Sequence, residues 1–125
     1  MTISLLVAED DPDQRHYMVR MFERRGLKVY EAADGQQAIP VFFNHPDITC
    51  IVSDFAMGGG DLDGDALYAA THEELERRGG TFIIATNTMN TVELQERLHA
   101  QRLQVITKVN HVSKTLDLLG VQQRD

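Results

Sequence analysis

Glu9, Asp10 and Asp11 follow directly on the apolar run from Ile3 to Ala8, and Asp54 follows another, from Ile48 to Ser53. Thr86 ends a third run, Thr81 to Ala85, and Lys108 a fourth, Leu103 to Thr107. Each residue alone has an ordinary reading. An acid after an apolar run commonly caps a helix or is solvated, and a lone lysine is commonly a surface charge. Together they form a set suited to one reaction. Three carboxylates brought close repel one another unless a cation sits among them, and hard oxygen donors with positions left open for water and phosphate suit Mg2+ or Mn2+. Three carboxylates, a divalent metal and Lys108 sum to zero charge. An incoming phosphoryl group is attracted by the metal and Lys108, can accept a hydrogen bond from Thr86, and meets Asp54 as the nucleophile that forms an acyl phosphate.

Those residues can act together only if the elements carrying them converge. Ile3 to Ala8 reads as a buried strand, with Pro12 placed where the first turn of a helix tolerates it. Met18, Met21 and Phe22 recur at helical spacing, Arg20, Arg24 and Arg25 lie off that stripe, and Gly26 closes the helix. Leu27 to Ala32 is a second strand. Asp34-Gly35 precedes a helix carrying Ala38, Ile39, Phe42 and Phe43, in which Pro40 is expected to delay the start or kink the first turns. After the third strand, Ile48 to Ser53, a glycine-rich loop from Gly58 to Gly64 leads into a helix from about Asp65 to Arg78, stopped by Gly79-Gly80. The fourth strand, Thr81 to Ala85, is followed by a helix with a capping box at Asn90 and Glu93 and with Leu94 and Leu98 along it. The fifth strand, Leu103 to Thr107, precedes a short helix around Ser113 to Leu119. Five strands alternating with five helices predict an α/β, doubly wound parallel sheet covered on both faces. In such a sheet ligands bind beyond the carboxyl ends of the strands. If the strand order is the flavodoxin-like 2-1-3-4-5, strands one and three are neighbours and their acids meet.

Composition sets the outer bounds. The 125 residues suit one domain, 1–125, with no room for a separate output domain. The charge sum is 12 − 19 = −7, which argues against direct nucleic-acid contact. Cys50 is the single cysteine and lies in an apolar run, where a packed thiol is the expected reading. No apolar stretch approaches the ~20 residues of a membrane span, and no signal peptide is visible, so a cytoplasmic location is expected. The five histidines have no close pairing that suggests zinc. Gly58 to Gly60 lacks the order of a nucleotide-binding fingerprint.

Over nearly its whole length the sequence resembles a response regulator receiver domain, in a stand-alone, chemotaxis-regulator-like form. Leu5-Leu6-Val7-Ala8-Glu9-Asp10-Asp11-Pro12 resembles the family's opening strand and acid pair. Glu31-Ala32-Ala33-Asp34-Gly35 resembles its second strand and turn, and Ile51-Val52-Ser53-Asp54-Phe55-Ala56-Met57 its phosphoacceptor strand. Thr86 and Lys108, 22 residues apart, match its hydroxyl and lysine positions. The resemblance implies a flavodoxin-like (βα)5 sandwich with strand order 2-1-3-4-5. It implies that Asp54 accepts a phosphoryl group from the phosphohistidine of a sensor kinase or phosphotransfer protein. Glu9, Asp10, Asp54 and the Ala56 carbonyl then hold Mg2+ (or Mn2+), with Asp11 as the alternative if the acid pair is shifted by one. Arg15 keeps its usual distance from Glu9 and Asp10, which favours that pair. Thr86 and Lys108 bind phosphoryl oxygens. Such a protein is a signalling phosphoacceptor, not an enzyme acting on other substrates. Phosphorylation is expected to draw Thr86 inward and shift the face of the fourth helix and fifth strand toward an unknown protein target, as a monomer or weak homodimer.

The sequence departs from the family on the output side. Gly58 follows Met57 where proline is common, the loop to Asp63-Gly64 is about two residues longer than the family's, and Asp61 and Asp63 add acid to it. Asn87 replaces a very small residue after Thr86. Val105 stands at the usual aromatic switch position, and Val109 follows Lys108 where proline is common. These departures keep a second reading open, a pseudo-receiver that binds partners without phosphorylation. A phosphohydrolase of the haloacid dehalogenase kind also uses a strand-end aspartate, but it usually wants a second acid where this chain has Ala56.

Overall fold

Ser4–Ala8 (β1) is a run of five residues, every one buried. A strand covered on both faces needs apolar residues on both, and the chain supplies them by alternation. In a computed structural model that describes residues 2–54, 64–86, 104–107 and 111–121 (with the side chains of 64–65, 86, 104–107 and 111–113 left aside), β1 pairs in parallel with Lys28–Ala32 (β2) and Ile48–Asp54 (β3). β3 pairs with Thr81–Thr86 (β4), and β4 with Gln104–Thr107 (β5). The sheet order is β2-β1-β3-β4-β5, as the sequence predicts.

Pro12–Arg24 (α1), Gly35–Asn44 (α2), Gly64–Arg77 (α3) and a C-terminal helix, His111–Leu118, accompany the strands. The predicted fourth helix, with Asn90, Glu93, Leu94 and Leu98, lies outside the described residues. Even-numbered Leu6, Ala8 and Ile84 join Phe42 and Leu67 in the core under α2 and α3. Odd-numbered Leu5, Val7 and Ile83 join Met18, Phe22 and Leu116 under α1 and the C-terminal helix. Period-two alternation thus fills two cores from one strand. β3 contains an irregularity: Ser4 pairs with Ile48 but Leu5 with Cys50, so Thr49 is passed over. The extra residue reverses the face, as a one-residue shift must. Ile48 therefore packs with Ile51 on the α2 and α3 side, while Cys50 faces the other core.

Helix ends follow their punctuation. Gly26, at φ 86, ends α1 in a Schellman arrangement: Gly26 N–H donates to Glu23 O (3.0 Å) and Leu27 N–H to Phe22 O (3.2 Å). Gly80 has a different reason to be glycine. A Cβ there would lie 2.5 Å from Leu75 Cδ1 and 2.6 Å from the Thr49 carbonyl oxygen, closer than any side chain fits.

Pro40 does not delay α2. The helix starts at Gly35 directly after Asp34, whose carboxylate accepts from Gln37 N–H at 2.8 Å. Pro40 falls on an exposed position inside it. A good cap sets the start, and the hydrogen bond that proline forgoes lies where water can replace it.

Cys50 is fully buried, and burial pushes its thiol up to about 12 from 9.0. At neutral pH that leaves on the order of a thousandfold less thiolate than a free cysteine has. The native protein is expected to resist iodoacetamide and the urea-unfolded protein to react completely, as intact mass would show. Rapid native labelling would mean that the β3 core opens readily. No described helix is long and apolar enough to cross a membrane.

Candidate functional site

β1 and β3 are neighbours, with Ala8 beside Ser53, so the residues leaving their carboxyl ends emerge side by side. Glu9 N–H donates to Ala32 O at 3.1 Å, which ties the exit of β1 to the end of β2. The Glu9 side chain is buried, 2% exposed, and its Oε2 accepts the Asp11 N–H at 3.2 Å. Asp10 is exposed and Asp54 partly so. One carboxylate oxygen from each of Glu9, Asp10 and Asp54 lies within 4.8 Å of the other two.

Asp11 does not join them. It is the N-cap of α1, with extended backbone (φ −77, ψ 114), and its Oδ1 accepts from Asp13 N–H at 2.9 Å and from Gln14 N–H at 3.4 Å. Of three successive acids, two turn to the site and the third starts the helix. Helix starts favour such an acid, because its carboxylate satisfies amides with no partner in the helix.

The three clustered residues fit a hard divalent cation. Mg2+ takes oxygen donors at about 2.0–2.1 Å, so donors on one ion are about 3 Å apart when adjacent and about 4.2 Å when opposite. Donors within 4.8 Å need only small side-chain rotations, or a water in place of one direct contact, to meet around one ion. Their chemistry, all anionic oxygen with no nitrogen or sulfur, suits Mg2+ or Mn2+.

Thr86 ends β4 one residue beyond Ala85, which pairs with Asp54. Its backbone therefore stands at the same edge as the acids. Thr86 pairs in turn with Thr107 of β5, the residue before Lys108. The side chain of Thr86 and all of Ala56 and Lys108 lie outside the described residues, as do Met57 to Asp63, Asn87, Val109 and the side chain of Val105.

Two contacts at this edge are not readable from residue type. Ser53, fully buried, donates its hydroxyl to the Asp54 carbonyl at 2.8 Å. Arg15 donates from Nη1 to the Glu9 carbonyl at 2.8 Å and from Nε to Glu31 at 3.1 Å. The sequence marks Arg15 only by its spacing from the acid pair. One turn of helix beyond the Asp11 cap is the signal that returns it over the acids.

A model of the response regulator receiver domain matches residues 5–119. A search of curated proteins matched none. Among solved structures, the Vibrio cholerae chemotaxis protein CheY4 superposes with a TM-score of 0.79 at 18% identity, covering 96% of this chain and 98% of that one. The receiver domain of Francisella response regulator 1452 gives 0.77 at 24% identity, over 95% and 94%. A DNA-binding response regulator of the LuxR family from Staphylococcus aureus gives 0.78 at 17% identity, over 94% and 96%. At these identities the likeness is one of fold. Proteins named for different outputs share it, so the fold does not choose among outputs.

Proposed function

The chain belongs to the response regulator receiver family, whose members are signalling phosphoacceptors in two-component systems, and from that premise we propose that Asp54 is the phosphoacceptor of one receiver domain spanning residues 1–125. The convergence of Glu9, Asp10 and Asp54 within 4.8 Å at the edge where β1 and β3 end carries this reading. An Asp54 carboxylate oxygen attacks the phosphorus of a phosphohistidine, the P–N bond breaks, and the donor histidine keeps the bonding electron pair and takes up a proton. Glu9, Asp10, Asp54 and the Ala56 carbonyl hold Mg2+, or Mn2+, which supplies positive charge against the incoming phosphoryl oxygens. Thr86, at the end of β4, and Lys108, the residue after Thr107, bind those oxygens.

Receiver domains interact with histidine kinases or phosphotransfer proteins. The α1 face beside the acids suits such a donor. Asp13, His16, Tyr17, Arg20, Met21 and Arg24 line a groove there of about 480 Å3, with Tyr17 53% exposed. The signal leaves by altered protein–protein binding, since an acidic chain of net charge −7 is a poor ligand for nucleic acid.

The test is intact mass after incubation with acetyl phosphate, with and without Mg2+. A single phosphoryl adduct that requires Mg2+ is expected. No adduct in the presence of Mg2+ would overturn the reading and leave a pseudo-receiver that signals unmodified.

A further inference from the structure

Arg15 lies where α1, the exit of β1 and the end of β2 meet. Its Nη1 bonds the Glu9 carbonyl oxygen at 2.8 Å, its Nε pairs with Glu31 Oε1 at 3.1 Å, and its side chain is only 16% exposed. Glu31 sits on β2 opposite Val7, two residues before Glu9, so the anchor stands on a strand already in register with β1. The Glu9 carbonyl and the Asp10 N–H belong to one rigid peptide plane. Holding the carbonyl oxygen therefore sets the direction in which the Asp10 side chain leaves the turn. Glu9 is fixed at two further points, its own N–H to Ala32 O and its Oε2 to Asp11 N–H.

We propose that Arg15 is a positioning residue for the acid site: anchored by Glu31, its guanidinium holds the Glu9–Asp10 peptide so that both carboxylates converge with that of Asp54. This rests on the proposed function in taking Mg2+ as the probe. Charge alone predicts the opposite sign. A cation beside a metal site repels the metal, so removing the Arg15 charge strengthens Mg2+ binding unless its geometry matters more. Loss of an outer-shell partner typically weakens metal binding by about 10–100-fold, and geometry transmitted through one peptide plane belongs at the low end.

Calorimetric Mg2+ titration of wild type, Arg15→Ala and Arg15→Lys tests this, with a thermal melt of each. Arg15→Ala is expected to bind Mg2+ roughly tenfold more weakly. Arg15→Lys, which keeps one donor able to reach the Glu9 carbonyl, is expected to recover most of the loss. Arg15→Ala binding as tightly as wild type, or more tightly, overturns the proposal. Should Arg15→Ala fail to fold, Glu31→Asp carries the same test at a 44% exposed position. It keeps the charge and draws the anchor back by one methylene, so it is expected to weaken binding severalfold, with unchanged affinity overturning the proposal. Wild type that takes no Mg2+ instead overturns the proposed function. Hydrogen exchange of the Asp11 amide in metal-free protein then decides the Arg15 role alone: faster exchange in Arg15→Ala supports it, and an unchanged rate overturns it.

Discussion

Asp54→Asn is expected to take up no phosphoryl group from acetyl phosphate under conditions that modify wild type, as read by intact mass. The substitution changes shape very little and removes the nucleophile, because an amide oxygen carries no full charge to offer phosphorus. It also removes one of three anionic donors within 4.8 Å, so Mg2+ affinity in a calorimetric titration should fall by about tenfold or more. Stability without metal should move the other way. Two carboxylates about 5 Å apart repel by about 1 kcal/mol in water and about 3 kcal/mol near a protein surface. Asp54→Asn relieves two such pairs, Asp54 with Glu9 and Asp54 with Asp10. The two pairs sum to at least about 2 kcal/mol, against which Asp54→Asn gives up the attraction of Asp54 to its own partners. A net relief of ~1 kcal/mol corresponds to a melting temperature about 3–5 °C above that of metal-free wild type. An adduct that persists in Asp54→Asn would place the acceptor elsewhere and sink the proposal.

Arg78→Ala is expected to destabilise the fold by about 2 kcal/mol, read as a lower urea midpoint with an unchanged slope. Arg78 immediately follows α3, and its side chain is only 9% exposed. Its Nε donates to Glu74 Oε2 at 2.8 Å, Nη1 to the carbonyls of His45 (3.1 Å) and Ile48 (3.0 Å), and Nη2 to that of Phe42 (3.3 Å). The guanidinium carbon also lies 4.1 Å from the centre of the Phe42 ring. The Phe42 and His45 carbonyls belong to the end of α2, where no further helical turn takes them; each accepts one backbone amide, of His45 and Ile48 in turn, and Arg78 as a second donor. One side chain therefore joins the end of α3, the end of α2 and the start of β3. Truncating it removes four hydrogen bonds and the contact with the Phe42 ring at once, although the Phe42 and His45 carbonyls keep the amides of His45 (3.3 Å) and Ile48 (3.1 Å) and Glu74 keeps Arg77 (3.0 Å). Arg78→Lys should restore less than half of the loss, because one ammonium cannot reproduce a planar fork of donors.

The same cluster makes part of this effect pH-dependent. The hydrogen bond from Arg78, helped by the charges of Arg77 and Arg78, holds the Glu74 carboxyl below its ordinary 4.5, against the opposing effect of partial burial. A carboxyl depressed in the folded state stabilises above its unfolded value and loses that contribution as pH falls through the folded value. The gap between wild type and Arg78→Ala should therefore narrow below about pH 4.5. A gap that stays constant on acidification would assign the whole effect to the three carbonyls.

The alternation of strands and helices, the acids at the ends of β1 and β3, and the hydroxyl at the end of β4 were all legible in the chain, because each is local. A β-branched run bounded by acid reads as a strand whatever lies across from it, and Gly26 and Gly79 announce helix ends by backbone freedom alone. Element bounds shifted by a residue where the last pairing belongs to the neighbour: Asp54 and Thr86 are still strand because β4 and β5 pair beside them. Pro40 does not delay the helix, because propensity speaks for the helix interior whereas the Asp34 cap sets the start.

By itself, then, the sequence determined the fold class, the sheet order through its family resemblance, and the set of residues from which a site could be built. Only the tertiary structure decided among them. Glu9, Asp10 and Asp11 are chemically near-equivalent neighbours, and which two face Asp54 depends on the backbone angles at which the chain leaves β1 and enters α1. The face taken by Ile48 depends on one residue passed over in pairing with β1. The contacts of Arg15 and Arg78 reach carbonyls 6 and 30 to 36 residues away along the chain. Carbonyl oxygens are present at every residue and carry no mark in the sequence, so a side chain that bonds them can be recognised only once the fold has brought them within reach.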